Sequence, residues 1–357
     1  MRKLAEIVEI DAIHPIKDAD KIETATLKNK AWQCVVGKGE FQPNDYAVYF
    51  EVDSFLPKSE PYMFLEGRCN RIMDGVEGYR LKTIKLRGTL SQGMLMPLDK
   101  FTEPKFDRIR GKGVGSDVTD ILGVKLYEAP IPACLAGEAK GSFPSFLSKS
   151  DQERLQNLPE YFEMDFMQGV EFEATLKMDG TSVSVFYNNA VSEPEDMFGV
   201  CSRNLQLKEK EGNTYWDVVN GMFLKERMIC LGKNLMIQAE ICGEGIQGNH
   251  SKLKGHQMFV YDVFDIDKYK YLKPSDRLGI IAELCEPEVL MHVPVIGKYR
   301  IFNMFRNFED LHEWVTQQKG MNGTVPEGVV FKSVEPVDGQ VISFKVINNK
   351  YLLKYEE

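Results

Sequence analysis

Histidine and paired cysteine are what this chain has least of. Five histidines (His14, His250, His256, His292 and His312) are spread over 357 residues, and no two stand at metal-ligand spacing. That leaves no histidine to assign to catalysis and argues against a histidine-built zinc centre. The seven cysteines, Cys34, Cys69, Cys134, Cys201, Cys230, Cys242 and Cys285, are odd in number, scattered, and never arranged Cys-x-x-Cys. Buried or idle thiols in a reducing compartment fit that pattern better than a disulfide framework or a thiolate metal site. No run approaches the roughly 18 apolar residues of a membrane helix. No Gly-x-x-x-x-Gly-Lys-Ser/Thr phosphate loop occurs. A glutamate, Glu6, stands where a signal peptide would be apolar. The chain is expected to be intracellular, cytoplasmic or nuclear and not secreted, with no membrane partner.

What is present is ordinary for a globular protein: 43% hydrophobic and 27% charged residues, 29 glycines and 16 prolines. Those proportions exclude collagen-like and largely disordered chains, and the length suggests about two domains. The net charge of −9 argues against indiscriminate nucleic-acid binding. One stretch runs the other way: from Arg80 to Lys112 nine basic residues, Lys85 and Arg87 among them, face only Asp99, Glu103 and Asp107. It reads equally as a phosphate-tracking surface or as a solvated loop face.

The first third reads as β, with short runs at Lys3–Ile10, Lys21–Leu27, Trp32–Val36 and Asp45–Val52 separated by turn residues. Several short strands with no long helix between them point to a small barrel or sandwich, and His14–Ile22 resembles the opening of OB-fold tRNA-binding modules. Pro130, Pro132, Gly137 and Gly141 mark a linker over 127–143, which divides the chain into domains at 1–126 and 144–357. In the second domain, helical periodicity at Ser150–Leu158, Tyr215–Ile229, Ser275–Cys285 (with Ser275 as N-cap) and Glu309–Gln317 is interleaved with strands. The strands are expected at Glu171–Leu176, Thr181–Tyr187, Leu235–Cys242, Gln257–Asp265, Gly328–Lys332 and Val341–Val346. The irregular alternation favours α+β over a doubly wound sheet.

One constellation carries chemistry. Lys177-Met178-Asp179-Gly180 lies between two expected strands, so it can hold an amine nucleophile in a tight turn with a carboxylate two positions on. Ser202-Arg203-Asn204, Gln238-Ala239-Glu240, Phe259-Val260-Tyr261-Asp262, Glu327-Gly328-Val329-Val330-Phe331-Lys332 and Ser343-Phe344-Lys345 follow, with Lys350 close behind. Taken singly, a lysine or glutamate on a strand is a solvated surface residue. Taken in this order and spacing, the set resembles the covalent nucleotidyltransferase superfamily of polynucleotide ligases and mRNA capping enzymes. Leu86–Gly93, Phe143–Phe146, Asp151–Asn157 and Gly243–Gly248 narrow the resemblance to ATP-dependent RNA ligases with an N-terminal OB domain. Only Tyr351–Glu357 follows Lys350, which counts against the capping enzymes and DNA ligases that carry a C-terminal OB domain. Gly243-x-Gly245-x-x-Gly248 matches the dinucleotide fingerprint but has no room for the helix that fingerprint needs, and reads as a turn approaching nucleotide or RNA.

The resemblance implies an N-terminal OB-like β-barrel followed by an α+β adenylyltransferase domain. It also implies ATP as substrate, and RNA with 5′-phosphate and 3′-OH ends, at a nick in a duplex, as partner to a monomeric enzyme. Lys177 would attack the α-phosphate, AMP would pass to the RNA 5′-phosphate, and the 3′-OH would displace it. Free lysine has a pKa of about 10.4 and a neighbouring carboxylate keeps it charged, whereas a cation reverses that balance. Asp179, Glu240 and Glu327 are therefore expected to hold a hydrated Mg²⁺ or Mn²⁺. Lys345 and Lys350 would contact the α-phosphate, Arg203 a phosphate or the ribose, and Arg154 the departing pyrophosphate. Phe259, or Tyr261 beside it, would stack on adenine, and Thr175 and Leu176 would line the base edge. The alternatives are a DNA ligase, a GTP-using capping enzyme, and a catalytically silent OB-type RNA-binding protein.

Overall fold

The computed structural model describes residues 3–109, 111–128, 137–284 and 291–355, with Lys105 through its backbone alone. Arg110, Cys134, Cys285 and the part of the expected linker over 129–136 lie outside the described residues. The chain forms two compact units, Met1–Ile131 with Gln156–Pro159, and Pro132–Leu155 with Glu160–Glu357. No helix among the described residues is long and apolar enough to cross a membrane.

The first unit is built from eleven described strands. They are β1 (Ala5–Pro15), β2 (Ile22–Leu27), β3 (Lys30–Gly37), β4 (Tyr46–Phe50), β5 (Ser54–Pro57), β6 (Asn70–Met73), β7 (Val76–Arg80), β8 (Thr83–Leu86), β9 (Thr89–Gln92), β10 (Met94–Pro97) and β11 (Lys125–Leu126). A five-stranded sheet, β10-β4-β1-β2-β3, a four-stranded sheet, β11-β5-β7-β6, and a β8–β9 hairpin result. β1 is long because it serves two partners. Ala5–Glu9 pairs with β4 and Ile10–Pro15 with β2, with a bulge between Ile10 and Ala12 that bends the strand from one to the other. Its apolar residues lack strict alternation because both faces are covered: Ala5 and Ile7 join one buried cluster, Val8 and Ile10 another. The hairpin turns on Arg87-Gly88, both at positive φ, as a two-residue connection with the strand twist requires.

The second unit holds β12 (Ala139–Ser142), β13 (Glu153–Arg154), β14 (Phe172–Lys177), β15 (Thr181–Tyr187), β16 (Phe198–Cys201), β17 (Leu205–Leu207), β18 (Leu235–Gly243), β19 (His256–Asp265), β20 (Lys270–Tyr271), β21 (Met291–His292), β22 (Val295–Tyr299), β23 (Gly328–Ser333) and β24 (Ser343–Ile347). One sheet runs β12-β17-β16-β15-β18-β19-β20 with β21 also on β19, and the other runs β13-β24-β23-β14-β22. Phe172, Phe302, Phe331 and Phe344 pack ring against ring on the second sheet.

The α+β class holds; several element expectations do not. Ser150–Leu158 is no helix but strand β13 followed by a 3₁₀ turn at Leu155–Asn157, because Arg154 pairs along β24 instead. Tyr215–Ile229 is two helices, Thr214–Gly221 and Leu224–Leu231, broken where Phe223 adopts the left-handed conformation. Asn213 caps the first through its side chain. Ser275 lies inside the helix Pro274–Leu284, one residue past the proline that opens it.

Buried charge ties the two sheets of this unit together. Arg277, fully buried, pairs with Glu173 of β14 and donates from Nε to His292 Nε2 at 3.0 Å. Lys332 of β23 lies 2.6 Å from both Asp262 Oδ1 and the Tyr261 carbonyl on β19. Burial pushes the Lys332 amine down to about 8 against the pull of Asp262. Removing one member of such a pair strands the other in low dielectric, a loss of about 3–5 kcal/mol.

Candidate active site

Lys177 is the last residue of β14, opposite Gly328 of β23. After a two-residue turn Gly180 leads into β15, whose Thr181 pairs with Ile241 of β18. A Cβ on Gly180 would sit 2.3 Å from the Ile241 carbonyl oxygen, and one on Gly328 would sit 2.4 Å from that of Val346. Only glycine lets both strands approach this closely, which is the local reason for the Asp-Gly and Glu-Gly pairs.

Register places the other groups. Paired residues on adjacent strands share a face. Lys177 pairs with Gly328, Val330 (two along) pairs with Lys345, and Lys345 pairs with Arg154. Lys177, Lys345 and Arg154 therefore line one face of the smaller sheet. On the other sheet Glu240 pairs with Ser182 on one side and Phe259 on the other, so those three also share a face. The Lys177 amine lies 2.6 Å from Glu327 Oε1. Asp179 Oδ2 accepts from the Tyr351 hydroxyl and lies 2.8 Å from His250 Nδ1.

The charges act on one another. Burial pulls the Lys177 amine down, but Glu327, Glu240 and Asp179 together outweigh it and hold the group above its ordinary value. Burial pushes the Glu240 carboxyl up to about 8; Lys177 opposes this and the like charges of Glu327 and Asp179 reinforce it. Three acidic groups thus act on the Lys177 amine, an arrangement that a further positive charge relieves. Among the described residues no three His, Cys, Asp or Glu side chains are placed to hold a metal ion, so Asp179, Glu240 and Glu327 are not a ready-made ligand set. The donor set instead fits an ion that keeps its waters and takes phosphate oxygens, as Mg²⁺ does.

The remaining expected residues divide. Lys345 Nζ lies 3.3 Å from Asp151 Oδ1, and Arg154 is buried beside it. Arg203 is exposed in the turn after β16, and its charge reaches Glu240. Phe259 and Leu176 pack together in one apolar cluster with Met178, and Tyr261 packs against it. Thr175, the partner of Val330, lies on the sheet face that carries Lys177, Lys345 and Arg154; it is buried, and its hydroxyl donates to the Val330 carbonyl. Lys350 stands on the helix Asn349–Tyr355, off the strand face that carries Lys345, and its charge acts on His312. Lys85 and Arg87 are exposed on the β8–β9 hairpin of the first unit. Sequence reasoning missed His250 and Tyr351. The turn at Gly243–Gly248 signalled an approach to the site, and nothing in the sequence singles out a lone tyrosine after Lys350.

The chain is similar to known proteins along nearly its whole length. An OB-fold domain family matches residues 4–98, and the RNA ligase family matches residues 170–347. No curated protein matches the chain. Among solved structures, a lysine-to-methionine variant of Naegleria gruberi RNA ligase with AMP and Mn is 37% identical, with 98% of each chain covered and a TM-score of 0.84. The same organism's RNA ligase with PPi is 37% identical over 100% of this chain and 99% of that one, with a TM-score of 0.83. A lysine-to-alanine variant with ATP and Mn is 37% identical over 98% of each chain, with a TM-score of 0.83. The chain belongs to the RNA ligase family: it is an RNA ligase with an OB-fold domain ahead of its nucleotidyltransferase domain.

Proposed function

We propose that this RNA ligase uses ATP to seal 5′-phosphate and 3′-OH ends at a nick in a duplex, acting as a single chain. The carrying observation is Lys177 at a strand end, 2.6 Å from Glu327 and within the field of Glu240 and Asp179. In the first step the Lys177 amine, having lost its proton, bonds to the α-phosphorus of ATP while the bond to pyrophosphate breaks. A 5′-phosphate oxygen of the RNA then takes AMP from the lysine. Finally the 3′-OH attacks that 5′-phosphate, loses its proton and releases AMP.

Lys345, on the strand face shared with Lys177, balances charge developing at the α-phosphate. Arg154 beside it orients pyrophosphate, and Arg203 takes a phosphate or the ribose. Phe259 and Leu176 supply the apolar floor for adenine, with Tyr261 alongside. Asp179, Glu240 and Glu327 would hold Mg²⁺ or Mn²⁺ through water, and the ion would supply positive charge that favours the neutral amine and offsets phosphate charge.

RNA is gripped by the first unit. A groove of about 830 Å³ there is lined by Met63, Phe64, Ile84 and Leu86 together with Arg68, Arg71 and Lys82. Alternation along β8 turns Lys85 away from the face that carries Ile84 and Leu86, so Lys85 and Arg87 extend the basic surface from the hairpin's other side and tip. The five described cysteines, Cys34, Cys69, Cys201, Cys230 and Cys242, are free thiols, which supports a reducing, intracellular setting.

Offering ATP or GTP, then all-RNA, mixed and all-DNA nicks, tests the reading. Labelling with ATP alone, and sealing of nicks whose ends are RNA, is expected. Labelling with GTP, or equal sealing of all-DNA nicks, would contradict it.

A further inference from the structure

We propose that Tyr351 and His250 are positioning residues that hold Asp179 away from the Lys177 ammonium and present it to the hydrated cation; this rests on the adenylylation reading above. Both contacts fall on one carboxylate oxygen. Asp179 Oδ2 accepts from the Tyr351 hydroxyl and lies 2.8 Å from His250 Nδ1, and that nitrogen lies 2.9 Å from the Tyr351 hydroxyl. Oδ1 is left as the acceptor for other partners. Two residues from Lys177 and carrying opposite charge, Asp179 would otherwise be drawn onto the amine, where Glu327 already sits.

The two donors are themselves fixed. Tyr351 is 5% exposed on the helix Asn349–Tyr355. Asn348 caps that helix by accepting from the Lys350 N–H, while its own N–H donates to the Glu327 carbonyl at 2.9 Å. The helix that carries Tyr351 is thereby tied to the residue that pairs with Lys177. The His250 ring stacks on Tyr355 with centroids 3.8 Å apart. Its turn is closed by two hydrogen bonds between Asn249 and Leu253. A Cβ on Gly248 would meet His250 Nε2 at 2.9 Å, and the residue has φ +71°. The third glycine of the false dinucleotide fingerprint therefore serves to seat this ring.

The test is Tyr351→Phe, which keeps the ring and removes the donor, alone and with His250→Gln. Mn²⁺ binding to the full-length enzyme with a non-cleavable α,β-methylene ATP is read by the electron paramagnetic resonance of free Mn²⁺. The affinity for that nucleotide is measured in parallel. Groups behind a ligating carboxylate set metal affinity by about 10- to 100-fold. Mn²⁺ binding is expected to weaken at least tenfold in the double variant while nucleotide affinity stays within twofold. Lysyl-AMP formation should recover at saturating Mn²⁺. Tyr355→Phe, which retains the stack, should leave Mn²⁺ binding unchanged. Unchanged Mn²⁺ binding in Tyr351→Phe and in the double variant would overturn the proposal, as would equal losses of metal and nucleotide affinity. Should Tyr351→Phe alone fold poorly, His250→Gln measured singly decides the same point. Failure of the wild type to form any lysyl-AMP would instead sink the reading on which the proposal rests.

Discussion

The Lys177 amine and the Glu327 carboxylate form an ion pair with Nζ and Oε1 2.6 Å apart. Both residues sit at strand ends, and Gly328, next in sequence to Glu327, is the register partner of Lys177. The pair favours the protonated Lys177 amine, so making it the proposed nucleophile means moving Glu327 onto something more positive than the amine.

Chelation of divalent metal should therefore abolish self-adenylylation, and added Mg²⁺ or Mn²⁺ should restore it. Glu327→Gln breaks the pair yet also removes one of the carboxylates proposed to hold the cation. Its single-turnover labelling by α-labelled ATP is expected to fall about 10²-fold or more. Faster labelling in Glu327→Gln would show that the ion pair restrains the lysine without serving a metal.

Stability rests on the charges between the sheets. Arg277→Met leaves Glu173 buried without its guanidinium, and denaturant unfolding should report a loss of about 3–5 kcal/mol. A loss under about 1 kcal/mol would mean that Glu173 finds another partner.

Acid should expose the same network. Burial, then the adjacent Arg277 charge, holds the His292 imidazole below its ordinary value. The folded state thus binds this proton less well than the unfolded state, whose imidazole titrates near about 6.5. The contribution is complete above that pH and is lost as the pH falls toward the depressed folded value. Thermal midpoints should decline below about pH 6.5, and less steeply in His292→Gln, which keeps an acceptor for Arg277 Nε. Equal slopes in the two proteins would remove His292 from the acid response.

Substitutions in the groove of the first unit should separate RNA handling from chemistry. Arg68→Ser with Arg71→Ser is expected to weaken nicked-duplex binding and to flatten the slope of log K against log salt by about 1–2. Phe64→Ala should weaken binding with no change in slope. Self-adenylylation should be spared in both variants, and parallel loss of labelling would contradict the division of labour.

Much of the second unit was legible in the sequence because its strands are long and apolar and its chemistry is ordered along the chain. Thr181–Tyr187 runs over the residues expected, and Lys177 pairs with Glu327 while Glu240 acts on its charge. The first unit was less legible. β5 to β10 are four or five residues each, too short for a two-residue period to stand out, and Ile72, Val76, Ile84 and Leu86 are exposed. Phe223 broke an expected helix through a backbone conformation that an amphipathic pattern does not encode. Arg154 left its expected helix for a tertiary reason, the parallel pairing of its strand with β24. His250 and Tyr351 were invisible because their link to Asp179 spans 71 and 172 positions.

Intact-mass spectrometry of the purified protein after exposure to ATP and Mg²⁺ tests the centre of this account most directly. The wild type should gain the mass of one AMP and Lys177→Ala none. An unmodified wild type, or an adduct that persists in Lys177→Ala, would contradict it.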